Sequence, residues 1–96
     1  MLVLVSYDIH SSSKTGPRRL RQIAKQCLNY GQRVQYSVFE CIVDIKEFES
    51  MKNKILKIID FEEDSVRFYI LGNQYKTKVE HFGTKKSVDM EGTMIL

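Results

Sequence analysis

The sequence has no tryptophan, one proline and two histidines. It has no long apolar run either. Nothing approaches the roughly 20 consecutive apolar residues that a helix needs to cross a bilayer, so a membrane-spanning helix is excluded. The first residues lack a basic stretch followed by a small-residue cleavage site, which argues against a secretory signal. The expectation is a cytoplasmic protein with no membrane partner. Cys27 and Cys41 form no CxxC pair and both fall within apolar patterns. They read as reduced, buried structural thiols and not as metal ligands or a nucleophile. With His10 and His81 the only histidines, no general base stands out. Internal repeats, low-complexity blocks and interdomain linkers are absent too. The 96 residues suit one domain with a modest core.

What is present begins with Met1–Asp8, MLVLVSYD. A short Val/Leu-rich run that closes at a Ser/Lys/Gly/Pro cluster reads as a buried strand. Leu2 and Leu4 point one way and Val3 and Val5 the other, so both faces need cover. Asp8 ends the strand, where a short carboxylate meets solvent, a metal or a partner. The plainer alternative is a turn-starting or helix-capping aspartate.

His10–Pro17 is a polar loop, and Gly16-Pro17 a good helix entry. Leu20, Ile23, Ala24, Cys27 and Leu28 then keep the spacing of an amphipathic helix. Its outer face is assigned Arg18, Arg19, Arg21 and Lys25, a solvated face or a phosphate-binding one. Gly31 is expected to be the left-handed cap that ends the helix. Gln32–Gln35 and Val38–Val43 read as strands joined through Tyr36-Ser37, with Phe39, Cys41 and Val43 on one face and Val38 and Ile42 on the other. Asp44 with Glu47 makes a capping box for a second helix, whose buried stripe is Phe48, Met51, Ile55, Ile58 and Ile59. After an acidic connector, Asp60–Asp64, the run Ser65–Leu71 is a fourth strand, with Val66, Phe68 and Ile70 facing one side and Arg67, Tyr69 and Leu71 the other. Gly72-Asn73 turns the chain. Lys76–Phe82 alternates like a fifth strand, and residues 84–96 read as a mobile or partner-docked tail.

This order is that of an α+β, ferredoxin-like β-α-β-β-α-β domain over residues 1–83 with an extra C-terminal strand. Both helices of that fold cover one face of an antiparallel sheet. Several strands here are apolar on both faces, so the open face is expected to be covered in a two-fold homodimer. Net charge is only +3, but residues 1–45 carry six basic and three acidic side chains, and residues 74–86 carry four lysines against Glu80. Two separated basic stretches suit nucleic acid better than the total does.

Three stretches converge on one family: Tyr7-Asp8 at the first strand end, QYSVFE at Gln35–Glu40, and the arginine-bearing helix between them. Together they resemble the CRISPR-associated protein 2 family, the small adaptation protein that partners the spacer integrase. GNQYKTKVEHFG at Gly72–Gly83 resembles its type I-C branch. The resemblance implies a homodimer with a metal-dependent endonuclease activity on double-stranded DNA or RNA. The family aspartate maps onto Asp8, one from each protomer, sharing Mg²⁺ or Mn²⁺. The family tyrosine maps onto Tyr7, and the motif serine and phenylalanine onto Ser37 and Phe39. The basic positions fall near Arg18, Arg19 and Arg33, and the C-terminal strand would reach the partner protomer.

Three functions compete. One is a metal-dependent phosphodiesterase built on paired Asp8 carboxylates, for which Mg²⁺ chemistry suffices because that ion keeps several waters and needs one or two carboxylates plus phosphate oxygens. The second is a non-catalytic dimeric scaffold that holds duplex DNA on Arg18, Arg19, Arg21, Lys25, Arg33, Lys76 and Lys78 and bridges integrase subunits. The third, a sheet-face RNA-binding module, lacks the RNP1 pattern.

Overall fold

The computed structural model describes residues 1–83, 87–88 and 94–95. The sheet is built from β1 (Leu2–Asp8), β2 (Gly31–Gln35), β3 (Val38–Ile42) and β4 (Ser65–Gly72), and the helices are α1 (Gly16–Leu28) and α2 (Ile45–Ile58). The four strands form one antiparallel sheet in the order β2-β3-β1-β4, as the ferredoxin-like reading expects. Two short strands, β5 (Ser87–Val88) and β6 (Met94–Ile95), pair with each other. No helix among the described residues is long and apolar enough to cross a membrane.

The strand alternation read from the sequence holds in β1 and β3. Val3, Val5 and Tyr7 of β1 and Phe39 and Cys41 of β3 face the helices, where they meet Ile23 and Cys27 of α1 and Phe48, Met51 and Ile55 of α2. Both cysteines are buried free thiols, and burial raises each pKa to about 12. The capping box of α2 also forms: the Asp44 carboxylate accepts from Glu47 N–H at 2.7 Å, and Glu47 Oε1 accepts from Asp44 N–H at 3.0 Å. That box settles two orphan donors at the helix start. Met1 closes the other end of the core, its ammonium donating to Val43 O at 2.8 Å.

Two expectations are corrected. Gly31 does not adopt the left-handed conformation; among the described glycines only Gly72 and Gly83 have positive φ. Asn29 caps α1 with helical dihedrals, and Gly31 opens β2. There a Cβ would meet Glu40 O at 2.1 Å and Cys41 Cα at 2.7 Å. Glycine is required by close approach of two backbones, not by dihedral angle. Lys76–Phe82 is not a strand. Tyr75–Thr77 makes one 3-10 turn and residues 79–82 carry no regular structure. A strand exists only through ladder hydrogen bonds, and this segment joins no ladder among the described residues. The tail reading for 84–96 lies outside the described residues, save the backbone of β5 and β6.

Candidate functional site

Asp8 is the last residue of β1, opposite Ser65 of β4. By alternation it shares the helix-free face with Leu4 and Ser6. Its carboxylate is exposed and makes no hydrogen bond or ion pair among the described residues. The chain beyond it is firmly held. Ile9 turns back into the core, His10 O accepts from Ser13 Oγ at 2.9 Å, and Ser13 O accepts from Gly16 N–H at 3.3 Å. Gly16 packs against this loop so closely that a Cβ would lie 2.2 Å from His10 O.

Arg19 is not on the outer face assigned to it. It is 8% exposed, its Nε donating to Asp64 Oδ2 at 2.7 Å and its Nη2 to Asp64 Oδ1 at 3.2 Å and Glu63 Oε2 at 3.3 Å. Nη1 donates to the Thr15 hydroxyl. A helix turns about 100° per residue, which carries Arg19 away from Arg18 and onto the connector before β4. Its charge is already neutralised, so it is corrected from phosphate ligand to structural ion pair. Asp64 is the important residue missed in the sequence. It looked like one acid among several, yet it also accepts from the N–H of His10 at 3.0 Å and of Asp60 at 2.8 Å.

Arg18, Arg21 and Lys25 are exposed, and their i, i+3, i+7 spacing puts them on one face of α1. Lys76 and Lys78 lie beyond β4, far along the chain from that face. Lys78 Nζ donates to Leu71 O at 3.0 Å.

Tyr7 and Phe39 are brought together, but on the helix side, away from the Asp8 carboxylate. Their rings stack with centroids 6.2 Å apart. The Arg33 guanidinium lies 5.1 Å from the Phe39 centroid and 5.8 Å from that of Tyr36. Burial raises the Tyr7 pKa; Arg33 opposes that without reversing it. Ser37 contributes its backbone, Ser37 O accepting from Tyr7 N–H at 3.1 Å. On the open face, partly buried Glu40 lies opposite Leu4 and Gln32. Burial raises its pKa, with His81 acting the other way.

One chain does not form a closed metal centre: no group of three or more His, Cys, Asp or Glu side chains suited to a metal occurs among the described residues. An unpaired, solvent-facing aspartate does fit a hard cation that keeps most of its waters, such as Mg²⁺.

A sequence profile for the family described as CRISPR associated protein Cas2 matches residues 1–79. A CRISPR-associated endonuclease Cas2 from Halalkalibacterium halodurans is 58% identical over 95 residues, covering 99% of each chain. A CRISPR-associated endoribonuclease Cas2 from Nitratidesulfovibrio vulgaris is 53% identical over 96 residues, covering all of this chain and 94% of the other. The crystal structure of Streptococcus pyogenes Cas2 at pH 6.5 superposes with a TM-score of 0.76 at 49% identity, over 86% of this chain and 100% of that one.

Proposed function

The chain belongs to the CRISPR-associated Cas2 family, and from that premise we propose that it is an endonuclease of CRISPR adaptation whose phosphodiester chemistry is centred on Asp8. The observation that carries this reading is the unpaired carboxylate at the end of a strand that is hydrogen-bonded along both edges, to β3 and β4. Relatives named endonuclease and endoribonuclease support a nuclease assignment without choosing between DNA and RNA.

The open face supports a two-fold dimer. Leu4, Val38 and Ile42 are only partly covered and Tyr69 is 43% exposed. A second copy packed there would remove this apolar surface from water. It would also place two Asp8 carboxylates near one axis, where they would hold Mg²⁺ or Mn²⁺ between them. A bound divalent cation would supply the positive charge that polarises the phosphodiester. The chain's own part is positional. The His10–Gly16 loop holds the end of β1, and the Arg18/Arg21/Lys25 face attracts the phosphate backbone.

A second reading is favoured by that same basic face: a dimeric scaffold that holds duplex DNA and bridges integrase subunits. The residues that bind would be those that steer substrate in the first reading, with Asp8 dispensable.

Cleavage of labelled duplex DNA and single-stranded RNA separates the two. Wild type and Asp8→Ala are compared with and without Mg²⁺ or Mn²⁺, with binding measured alongside. Metal-dependent cutting that disappears in Asp8→Ala while binding survives supports the nuclease. Equal cutting by both proteins transfers the role to the scaffold. A monomeric mass at micromolar concentration would remove the shared-cation arrangement.

A further inference from the structure

We propose that the slot between α1 and the β2–β3 turn is a subsite for one unpaired nucleotide, its base stacked on Tyr36 and its phosphate held by Arg21 and Arg33. The proposal rests on the nucleic-acid reading above and adds a preference for strands with unpaired bases. The slot has a volume of about 120 Å³ and is lined by Tyr7, Leu20, Arg21, Ala24, Arg33 and Tyr36.

Its chemistry is that of a nucleotide: an apolar floor, an aromatic wall and two cations. Tyr36 is 73% exposed, so its ring serves no core. Base-on-aromatic stacking tolerates any base, because every base has a π-face. Arg33 is already oriented, its planar group set near the Phe39 and Tyr36 rings. A guanidinium has five N–H donors, so donors remain for a phosphate. Neither Arg21 nor Arg33 makes an ion pair among the described residues, whereas Arg19 on the same helix is saturated by Asp64 and Glu63. The fold thus neutralises one arginine of this cluster and leaves two for an outside anion.

Position supports the assignment. Tyr7 and Asp8 are consecutive residues of β1 with side chains on opposite faces. The slot therefore lies at the Asp8 end of the sheet but on the helix side. It stays accessible when two open faces meet.

The test is binding to the Asp8→Asn protein in chelator, so that nothing is cut. Fluorescence anisotropy compares a labelled single-stranded decanucleotide with a blunt duplex of the same sequence. Tyr36→Ala is expected to weaken single-strand binding about tenfold, with duplex binding changed less than twofold. Tyr36→Phe should restore it, and Arg33→Lys should not, because lysine lacks the planar face. Tyr36→Ala that changes neither affinity, or both equally, overturns the subsite; unchanged affinities would move the surface to an acidic protein segment. Absence of binding to either probe by the Asp8→Asn protein would instead defeat the nucleic-acid reading itself, and the subsite with it.

Discussion

The Nε of Arg19 lies 2.7 Å from Oδ2 of Asp64, a carboxylate whose side chain is fully buried. This pair ties α1 to the segment that enters β4. Because Asp64 also accepts from His10 N–H, it holds the residue two beyond Asp8. Replacing Asp64 by Ala leaves two backbone N–H groups and a guanidinium without their acceptor. The expected cost is on the order of 2 kcal/mol, read as a lower urea midpoint with unchanged slope. An unchanged midpoint would show that water replaces the carboxylate.

The same carboxylate gives stability a specific acid limb. Burial acts to raise its pKa, but the Arg19 guanidinium and the N–H groups of Asp60 and His10 outweigh it, and the net shift is downward from 3.8. A depressed folded pKa contributes stability that is present above the unfolded value and lost as pH falls through the folded one. Asp64→Asn should therefore flatten the loss of stability below about pH 4. A variant as acid-sensitive as wild type would assign that limb to other carboxylates.

Glu40 works in the opposite direction. Burial lifts its pKa above 4.5, so the fold favours the protonated form. Its cost is absent at low pH, grows as pH rises through 4.5 and levels off above the raised folded value. Glu40→Gln should stabilise the protein at pH 7 and make no difference near pH 3. Thermal unfolding at the two values checks this, and destabilisation at pH 7 would contradict it.

Gly31→Ala should be among the more damaging single-methyl additions. The new Cβ would meet backbone atoms of Glu40 and Cys41, and neither is the free end of a flexible side chain. Overpacking of this kind costs about 1–3 kcal/mol. A loss below about 0.5 kcal/mol by denaturant titration would mean that β2 shifts freely, since only changes away from such contacts are normally that small.

Cys27 and Cys41 should report global unfolding. Each is fully buried, with a pKa of about 12, and the reactive species is the thiolate. Alkylation at pH 8 should be negligible in the native protein and should track the urea transition. Rapid native labelling of either thiol would reveal local opening of the α1–β3 contact.

Secondary structure was legible because it is written in local spacing. The period-2 alternation of Val3, Val5 and Tyr7, the helical spacing from Leu20 to Leu28 and the Asp44–Glu47 box each depend on neighbours a few residues away. The strand order followed from the element order. The place of Asp8 was also legible, since it marks where an apolar strand stops. Long-range relationships were not. Arg19 resembled Arg18 and Arg21 until the fold placed Asp64 beside it, 45 residues away in sequence. Gly31 resembled a helix cap until β3 packed against its Cα. Lys76–Phe82 had the alternation of a strand but forms no ladder with any strand among the described residues. Tyr7 came from a different stretch than Arg33, Tyr36 and Phe39, and the antiparallel register of β1, β2 and β3 gathered them on the helix side while Asp8 stayed on the other. Spacing along a chain specifies which face a residue presents; which charge or ring it meets there is set by packing between elements distant in sequence.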